Sequence, residues 1–308
     1  MRRKPIYVEL TIDTAMQALW KHTQTPELHE QWDLRFSEIR YLPKKDESDP
    51  QRFLYRTRIG FGLSIAGEGE TAGTTEKNGV RTSVLAFSSD QPISLIREGA
   101  GFWRYEPDGE RVRFLTRYDY RTRFGRWGTA ADALVFRPLM GWATAWSFDC
   151  LRLWLEKGIP PRLSVTRMLT HGLCLTVLAL DWMYQGLVPK LLYPDAGELE
   201  ILRGTGWFAG SEEAVIRLLG AAEIAFGLGI AAAGIKYGRW VYGLNLILLV
   251  LLGLSAAAGD AGTYAEPFNP VTLNLSMMGI AVAGILQLRD LPEAGRCRRK
   301  PIGKEEEL

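Results

Sequence analysis

Cysteine is scarce in this chain, with three in 308 residues, at positions 150, 174 and 297. They form no CxxC pair and no metal-type spacing, so neither a disulfide framework nor a metal site is expected. An excess of one charge sign is also missing, since the formal net charge is +2. A nucleic-acid partner is therefore not expected, because proteins that neutralise many phosphates carry a basic excess. P-loop, Rossmann and serine-elbow motifs are absent too, which disfavours nucleotide-dependent and esterase chemistry.

Charge is distributed unevenly along the chain. Residues 1–165 hold 46 charged side chains, whereas residues 166–288 hold only 15. The second part contains four apolar stretches that reach, or nearly reach, the roughly 20 helical residues needed to cross a membrane. These stretches are 168–188, 214–234, 240–258 and 271–288. Four consecutive segments of this length favour lipid over the alternative, a large soluble helical core. The sequence therefore predicts an all-α four-helix transmembrane bundle.

The loop charges predict the orientation of these spans, because basic residues are enriched in cytoplasmic loops. Lys236 and Arg239 lie between the second and third spans, and five basic residues follow the fourth between 289 and 300. The loops 190–213 and 259–270 are instead rich in carboxylates. Both termini are therefore expected in the cytoplasm of a multi-pass bacterial inner-membrane protein. The N-terminal region lacks the apolar run of a signal peptide.

Several polar side chains lie inside the predicted spans, where ionisable groups are costly and usually face a bundle interior. They are His171, Asp181, Arg217, Glu223, Asn245 and Asn274. For Glu223 two interpretations stay open: a protonatable or ligand-binding carboxylate, or a helix-helix hydrogen bond to an Asn or hydroxyl. A structural, interfacial position is favoured for Asp181. His171 and Arg217 are close enough to span ends to reach the surface.

The first 160 residues show the pattern of an α+β domain. Residues 6–12 alternate as a half-buried strand, Thr14 to Gln17 has the form of a capping box, and Pro26 begins a short helical turn. Further strands are predicted at 52–59, 61–72, 80–88, 93–105 and 111–123, before a long helix at 129–157. A curved sheet around one aromatic-rich helix has either a packed core or a cavity between its layers.

The last predicted strand has one basic face and one apolar-aromatic face. Such a basic face could meet anionic headgroups or nucleic acid. A solvated sheet face paired with Glu68, Glu70 or Glu98 is the commoner arrangement, and it is the one expected here.

Two resemblances fit these two halves. Residues 5–158 resemble the START-like (SRPBCC) superfamily of polyketide cyclases and ligand carriers, by element order and the runs Thr25-Pro-Glu-Leu-His29 and Trp32-Asp-Leu-Arg35-Phe36. Residues 166–288 resemble the DoxX-like membrane family. The motifs are Tyr184-Gln-Gly-Leu-Val-Pro-Lys190, Arg217-Leu-Leu-Gly-Ala-Ala-Glu223 and Phe268-Asn-Pro-Val-Thr-Leu-Asn274. The resemblances imply a helix-grip fold with a hydrophobic cavity, and a four-span bundle behind it.

The predicted organisation is a cytoplasmic START-like domain at 1–160, a DoxX-like four-span domain at 161–290 and a charged cytoplasmic tail at 291–308. The expected function is binding of a hydrophobic small molecule or lipid by the START-like domain, held near the bilayer. The predicted pocket residues are Trp103, Phe114, Tyr118, Phe136, Trp142 and Trp146.

Membrane lipids and the hydrophobic ligand are the expected partners. The question of a membrane-protein partner stays open, because no motif in the sequence identifies one. No cofactor and no reaction are assigned. One alternative is a redox or quinone-linked subunit in which Glu223 and Asp181 manage protons. Another is a cyclase-like or hydrolase-like enzyme drawing on Asp33, His22, His29 or Glu98.

Overall fold

The computed structural model describes residues 4–46, 48–195, 197–259, 261–265 and 269–301. These residues form two units, one reaching Ser164 and resuming at Pro292, the other running from Val165 to Leu291. Phe268 of the DoxX-like motif and residues 302–308 of the predicted tail lie outside the described residues.

The first unit is built on a seven-stranded antiparallel sheet in the order β1-β7-β6-β5-β4-β3-β2. Its strands are β1 Ile6–Ile12, β2 Glu38–Tyr41, β3 Gln51–Gly60, β4 Leu63–Lys77, β5 Val80–Ser88, β6 Ile96–Asp108 and β7 Arg111–Thr122. Five consecutive strands, β3 to β7, form a meander, while β1 pairs with β7. Four-residue β2 has one buried side chain, so it lacks the alternation that would have predicted it.

Helices cover one face of this sheet. The first two are α1 Met16–Gln24 and α2 Pro26–Trp32. Pro26 occupies the first turn of α2, as predicted, but Ala15 rather than Thr14 precedes α1, and no side chain caps that helix. The predicted capping box is therefore wrong. After β7 come α3 Gly125–Ala131, a π-helical turn at Asp132–Phe136 and α4 Arg137–Lys157.

The long helix α4 forms the core with the sheet. Phe148 on α4 stacks on Phe114 of β7 with ring centroids 4.4 Å apart, and both rings are fully buried. Gly158 ends the helix at φ 65°, a left-handed backbone conformation that glycine adopts without steric cost. This order, an antiparallel sheet with two short helices after its first strand and a long helix after its last, agrees with the α+β domain predicted for the first 160 residues.

The outer sheet face carries paired charges. Arg121 lies 3.0 Å from Glu98, and Arg52 lies 2.7 Å from Glu68, with all four side chains exposed. The solvated, charge-paired face expected for β7 is confirmed at Arg121, and Arg52 on β3 forms a similar exposed pair.

The segment after Pro292 adds to the edge of the sheet. Glu9 of β1 and Arg298 exchange two backbone hydrogen bonds of 2.9 Å each. Cys297 Sγ also donates to the carbonyl of Ala145 at 3.2 Å. The described part of the predicted tail therefore packs into the first unit and covers an otherwise open strand edge.

The second unit is helical in its described residues. Its helices are α5 Pro161–Leu187, continued by a π-helical turn at Val188–Leu192, then α6 Glu198–Thr205, α7 Glu212–Gly259 and α8 Pro270–Gln287. Two described stretches are long and apolar enough to cross a membrane, Pro161–Leu192 and Glu212–Gly259. The apolar stretch of α8, Val271–Gln287, is shorter. Inside the 48-residue α7 the backbone at Tyr237 leaves helical geometry, with φ −118° and ψ 27°.

Glycines let α5 and α7 approach closely. A Cβ atom on Gly186 would lie 2.3 Å from the carbonyl oxygen of Gly220, and one on Gly220 would lie 2.6 Å from that of Gly186. Contacts this short leave no room for any side chain, so the two backbones touch here. This crossing sets the position of the polar side chains described below.

Candidate functional site

A cavity of about 130 Å³ lies inside the first unit, between the sheet and the helices that cover it. Aromatic rings form much of its wall. They are Phe36, Tyr41, Phe53, Tyr55, Phe87, Phe102, Trp103 and Tyr118. Met140 of α4 and His29 of α2 contribute from the helical side.

Glycines in neighbouring strands position four of these rings. Phe53 is paired with Gly69 and Tyr55 with Gly67 across β3 and β4. A Cβ atom on Gly69 would come within 2.2 Å of the Phe53 ring. The ring therefore lies flat across the glycine and forms the cavity wall there, as aromatic residues do when they cover a glycine in a curved sheet.

A related arrangement recurs further along the sheet, where the ring of Phe87 lies against Gly99 and the backbone and Cβ of Tyr118 lie against Gly101. Phe87 is paired with Gly99, and Tyr118 with Gly101. A Cβ atom on Gly101 would lie 2.3 Å from the Cβ of Tyr118. Four mid-strand glycines thus shape the concave face, and they are the sequence signal that could have located this wall.

A buried ionic cluster lies at one side of the cavity. The carboxylate of Asp33 is fully buried and accepts two hydrogen bonds from Arg35, Nε to Oδ1 at 2.8 Å and Nη2 to Oδ2 at 2.6 Å. His29 Nε2 lies 3.1 Å from Asp33 Oδ2. Burial alone would raise the pKa of Asp33, but Arg35 and then His29 outweigh it and hold that pKa well below its usual value.

Arg35 is the only permanently charged side chain among the described residues that line this cavity. Its guanidinium carbon lies 5.4 Å from the ring centroid of Tyr118 and 5.6 Å from that of Phe36. Burial lowers the pKa of Arg35, but Asp33 more than compensates, so the pKa is raised and the guanidinium stays charged. The cavity therefore combines aromatic walls with one fixed positive group.

The six predicted pocket residues occupy different places. Trp103 and Tyr118 line the cavity. Phe114 and Trp146 are buried in the core instead, and half-buried Phe136 packs edge-on against Tyr120. Trp142 is 39 % exposed. For Trp142 and Trp146 the cause is helix periodicity, since α4 turns only one stripe of its side chains, which includes Met140, toward the cavity.

The second unit holds its own polar cluster. Glu223 of α7, 6 % exposed, has its Oε2 2.9 Å from Nζ of Lys190. Lys190 is also buried, and its Nζ lies 2.5 Å from Oε2 of Glu198. Of the two interpretations left open for Glu223, one gave it an Asn or hydroxyl partner; in the structure its ion-pair partner is Lys190. The π-helical turn brings Lys190 over Gly220, where a Cβ would lie 2.9 Å from the Cβ of Lys190.

The amides inside the bundle bond to other groups. Trp182 Nε1 donates to Oδ1 of fully buried Asn245 at 2.7 Å, and Asn274 Nδ2 donates to the carbonyl of Leu249 at 3.2 Å. Asp181 is half-buried.

The two side chains expected to reach the surface differ from each other. His171 is 3 % exposed, with Nδ1 2.9 Å from the Tyr242 hydroxyl, so the surface position expected for it is wrong. Arg217 is exposed.

A second cavity, of about 760 Å³, opens beside Lys190 and Glu223 within this unit. Among the described residues, no group of three or more His, Cys, Asp or Glu side chains is placed to hold a metal ion.

Together these features define a chain that joins an α+β unit to an apolar helical unit. Residues 179–282 match the model of the DoxX-like family. The chain is also 40 % identical over 303 residues to a Bacillus subtilis protein described as "Uncharacterized membrane protein YndG", covering 97 % of this chain and 99 % of that relative. The chain therefore belongs to the family of membrane proteins that includes YndG.

Solved structures align with roughly half of the chain. A START superfamily protein from Mycobacterium smegmatis covers 51 % of this chain and 100 % of its own, at 13 % identity and TM-score 0.38. The Zhui aromatase/cyclase from Streptomyces sp. R1128 covers 45 % of this chain and 87 % of its own, at 12 % identity and TM-score 0.35.

Proposed function

We propose that the START-like domain binds a small hydrophobic molecule between its sheet and α4, and that the helical unit holds this domain at the membrane. The observation that carries the proposal is the aromatic cavity whose described lining holds one fixed guanidinium, that of Arg35. An apolar wall with few polar groups is the usual composition of a small-molecule site.

The volume limits the ligand. A dry apolar cavity of about 150 Å³ accepts one benzene molecule, and this cavity measures about 130 Å³. The ligand is therefore the size of one aromatic ring or a short alkyl chain, unless the lining moves. Two N–H groups of Arg35 are held by Asp33, which leaves others that could donate to a carbonyl or other acceptor on the ligand.

The proposed membrane topology has four crossings and both termini in the cytoplasm. The break at Tyr237 supports it, because an unbroken helix of 48 residues would extend about 72 Å, more than twice the bilayer core of about 30 Å. The basic residues Lys236 and Arg239 flank that break on the side expected to be cytoplasmic. Tethering the carrier to the membrane raises its effective concentration for a ligand that partitions there.

The test compares two matched substitutions on β5. Ser83 is buried and lines the cavity, whereas the side chain of its neighbour Val84 is on the opposite face and 42 % exposed. The full-length protein is purified in lipid nanodiscs, extracted with organic solvent, and the extract is analysed by mass spectrometry. We expect Ser83→Phe to lose the co-purified molecule and Val84→Phe to retain it. Equal recovery from both variants, or an empty wild-type protein, contradicts the proposal.

A second candidate is acid-base chemistry in the same cavity, favoured by one observation. His29 lines the cavity while its Nε2 is bonded to Asp33, an arrangement in which a carboxylate orients an imidazole. If His29 is the acid or base, His29→Gln should stop any chemical conversion of the co-purified molecule, and the molecule should stay bound. The redox interpretation of Glu223 and Asp181 stays a prediction, tested by Glu223→Gln and Asp181→Asn in quinone-coupled membrane assays.

A further inference from the structure

The larger cavity, in the second unit, is separate from the proposed START-like site. Its volume of about 760 Å³ lies within the range of roughly 300–1,000 Å³ found for small-molecule sites. Its walls come from α5, α6, α7, α8 and the π-helical turn, and they are mainly apolar. Representative side chains are Ile201, Leu202, Leu219, Leu249, Leu252 and Met277.

Three charged side chains line this cavity among the described residues: Lys190, Glu198 and Glu223. When all three are ionised, one ammonium faces two carboxylates, and one negative charge is in excess. An uncompensated charge in an apolar membrane environment is costly. The cluster therefore favours a bound positive charge.

The hydrogen-bond geometry points the same way. The Nζ atom of Lys190 lies 2.5 Å from Glu198 Oε2, 2.9 Å from Glu223 Oε2 and 3.3 Å from the carbonyl of Gln185. The two carboxylate contacts are ion pairs, and the contact with the carbonyl of Gln185 is a hydrogen bond. Within the described chain, the buried Oε2 of Glu223 receives no well-aligned hydrogen bond, so this oxygen can accept one from a ligand.

Neutral polar groups around the cavity also offer acceptors. Four hydroxyls and one amide that line the cavity donate hydrogen bonds to backbone carbonyls, at donor-acceptor distances of 2.7 to 3.2 Å. They are Thr205, Ser255, Thr272, Ser276 and Asn274. Thr205 Oγ1 already accepts from the backbone N–H of Trp207 at 3.3 Å, but each of these oxygens keeps at least one lone pair for a ligand, so this wall suits a positively charged group better than an anion.

Aromatic rings complete the lining. Trp182 forms part of the wall near the cluster, and Trp207 and Phe208 form another part beyond α6. The faces of such rings attract cations. Excess negative charge, spare acceptors, aromatic faces and apolar walls are thus gathered around one space.

We propose that this cavity binds a lipophilic organic monocation, an ammonium or phosphonium with apolar substituents. The carboxylates of Glu198 and Glu223 compensate its charge, and the apolar and aromatic walls hold its substituents.

The test uses two probes of nearly the same shape and opposite charge, tetraphenylphosphonium and tetraphenylborate. Their binding to the full-length protein is measured by equilibrium dialysis in nanodiscs of zwitterionic lipid, with empty nanodiscs as the background. We expect saturable binding of the cation and none of the anion above background. Saturable binding of tetraphenylborate, or no saturable binding of tetraphenylphosphonium, overturns the proposal.

Substitutions locate the site. Glu223→Gln and Glu198→Gln should each weaken tetraphenylphosphonium binding by roughly tenfold or more. Exposed Glu213 lies outside the cavity lining, so Glu213→Gln is the matched control and should leave the affinity unchanged. Glu198 is partly exposed, and its variant keeps the test valid if Glu223→Gln fails to fold. Unchanged affinity in Glu198→Gln overturns the assignment.

A substitution of Lys190 tests whether the cluster attracts the probe through its negative charge. Lys190→Gln removes the positive member of the cluster, so tetraphenylphosphonium should bind at least as tightly as in the wild type. Loss of cation binding in a folded Lys190→Gln protein contradicts the proposal. Ser83→Phe should leave tetraphenylphosphonium binding unchanged, because Ser83 lines the other cavity. The cation proposal and the proposed START-like site can therefore fail independently.

Discussion

Glu9 joins the first strand to the C-terminal segment, and its removal should weaken the first unit in a pH-dependent way. Arg113 Nη2 donates to Glu9 Oε2 at 2.8 Å, and Arg298 Nη2 donates to both carboxylate oxygens at 2.5 Å. Burial raises the pKa of Glu9, but the hydrogen bonds from Arg113, Arg298 and Tyr7 outweigh it. They lower that pKa from 4.5 to about 2.

The magnitude follows from that difference in pKa. The difference corresponds to about 3 kcal/mol of stabilisation by the ionised carboxylate. The Arg298 side chain is 35 % exposed, so solvent screening reduces the expected contribution to about 2 kcal/mol. Because the folded-state pKa of Glu9 is depressed, this stabilisation is fully present above pH 4.5. It is lost as the pH falls from 4.5 toward 2.

The assay is denaturant unfolding of the full-length protein in detergent, followed by tryptophan fluorescence at several pH values. Glu9→Gln should lower the free energy of unfolding by about 2 kcal/mol at pH 7, and the difference from wild type should shrink below pH 4.5. Glu98→Gln is the control, because its pair with Arg121 is exposed and contributes at most about 1 kcal/mol. A Glu9→Gln deficit that is absent at pH 7, or equally large at pH 3, refutes the reasoning.

Two further substitutions test the packing of each unit. Asp33→Asn leaves the buried guanidinium of Arg35 without its counter-charge and should lower the free energy of unfolding by about 3 kcal/mol in denaturant titrations. A change below about 1 kcal/mol would show that the pair is not essential. Gly186→Ala forces a Cβ against the carbonyl of Gly220 and should cost about 1–3 kcal/mol in thermal unfolding in detergent. Gly229→Ala meets no atom within 4 Å and should be neutral, so equal effects would contradict the close approach.

Local patterns predicted much of the fold because they act over a few residues. The strand predicted at residues 6–12 is β1, but the prediction that it is half-buried is wrong, because Ile6, Tyr7, Val8 and Glu9 are all buried. Basic and apolar side chains alternate along β7 as predicted. Pro26 begins α2 as its fixed φ requires. Each of these signals reflects which side of one element is buried. The capping box at Thr14 was predicted from residue types alone. In the structure α1 begins after Ala15 and no side chain caps it, so the packed backbone decides where this helix starts.

The sequence predicted less of the candidate sites than of the fold. Trp103 and Tyr118 line the first cavity, but Arg35 and the rings lying across Gly67 and Gly69 were not anticipated as its wall. Aromatic residues in an amphipathic element are equally suited to a core or to a cavity. Their assignment depends on sheet curvature, which arises from pairing between strands.

The sequence by itself determined the division into a charged α+β half and an apolar helical half, because segment hydropathy and periodicity act locally along the chain. Tertiary structure alone decided that Glu223 meets Lys190, and that Glu9 meets Arg298 across 289 positions. Charged side chains pair with the opposite charges that the fold brings close to them. That proximity follows from a glycine crossing between helices in one case and from an open strand edge in the other.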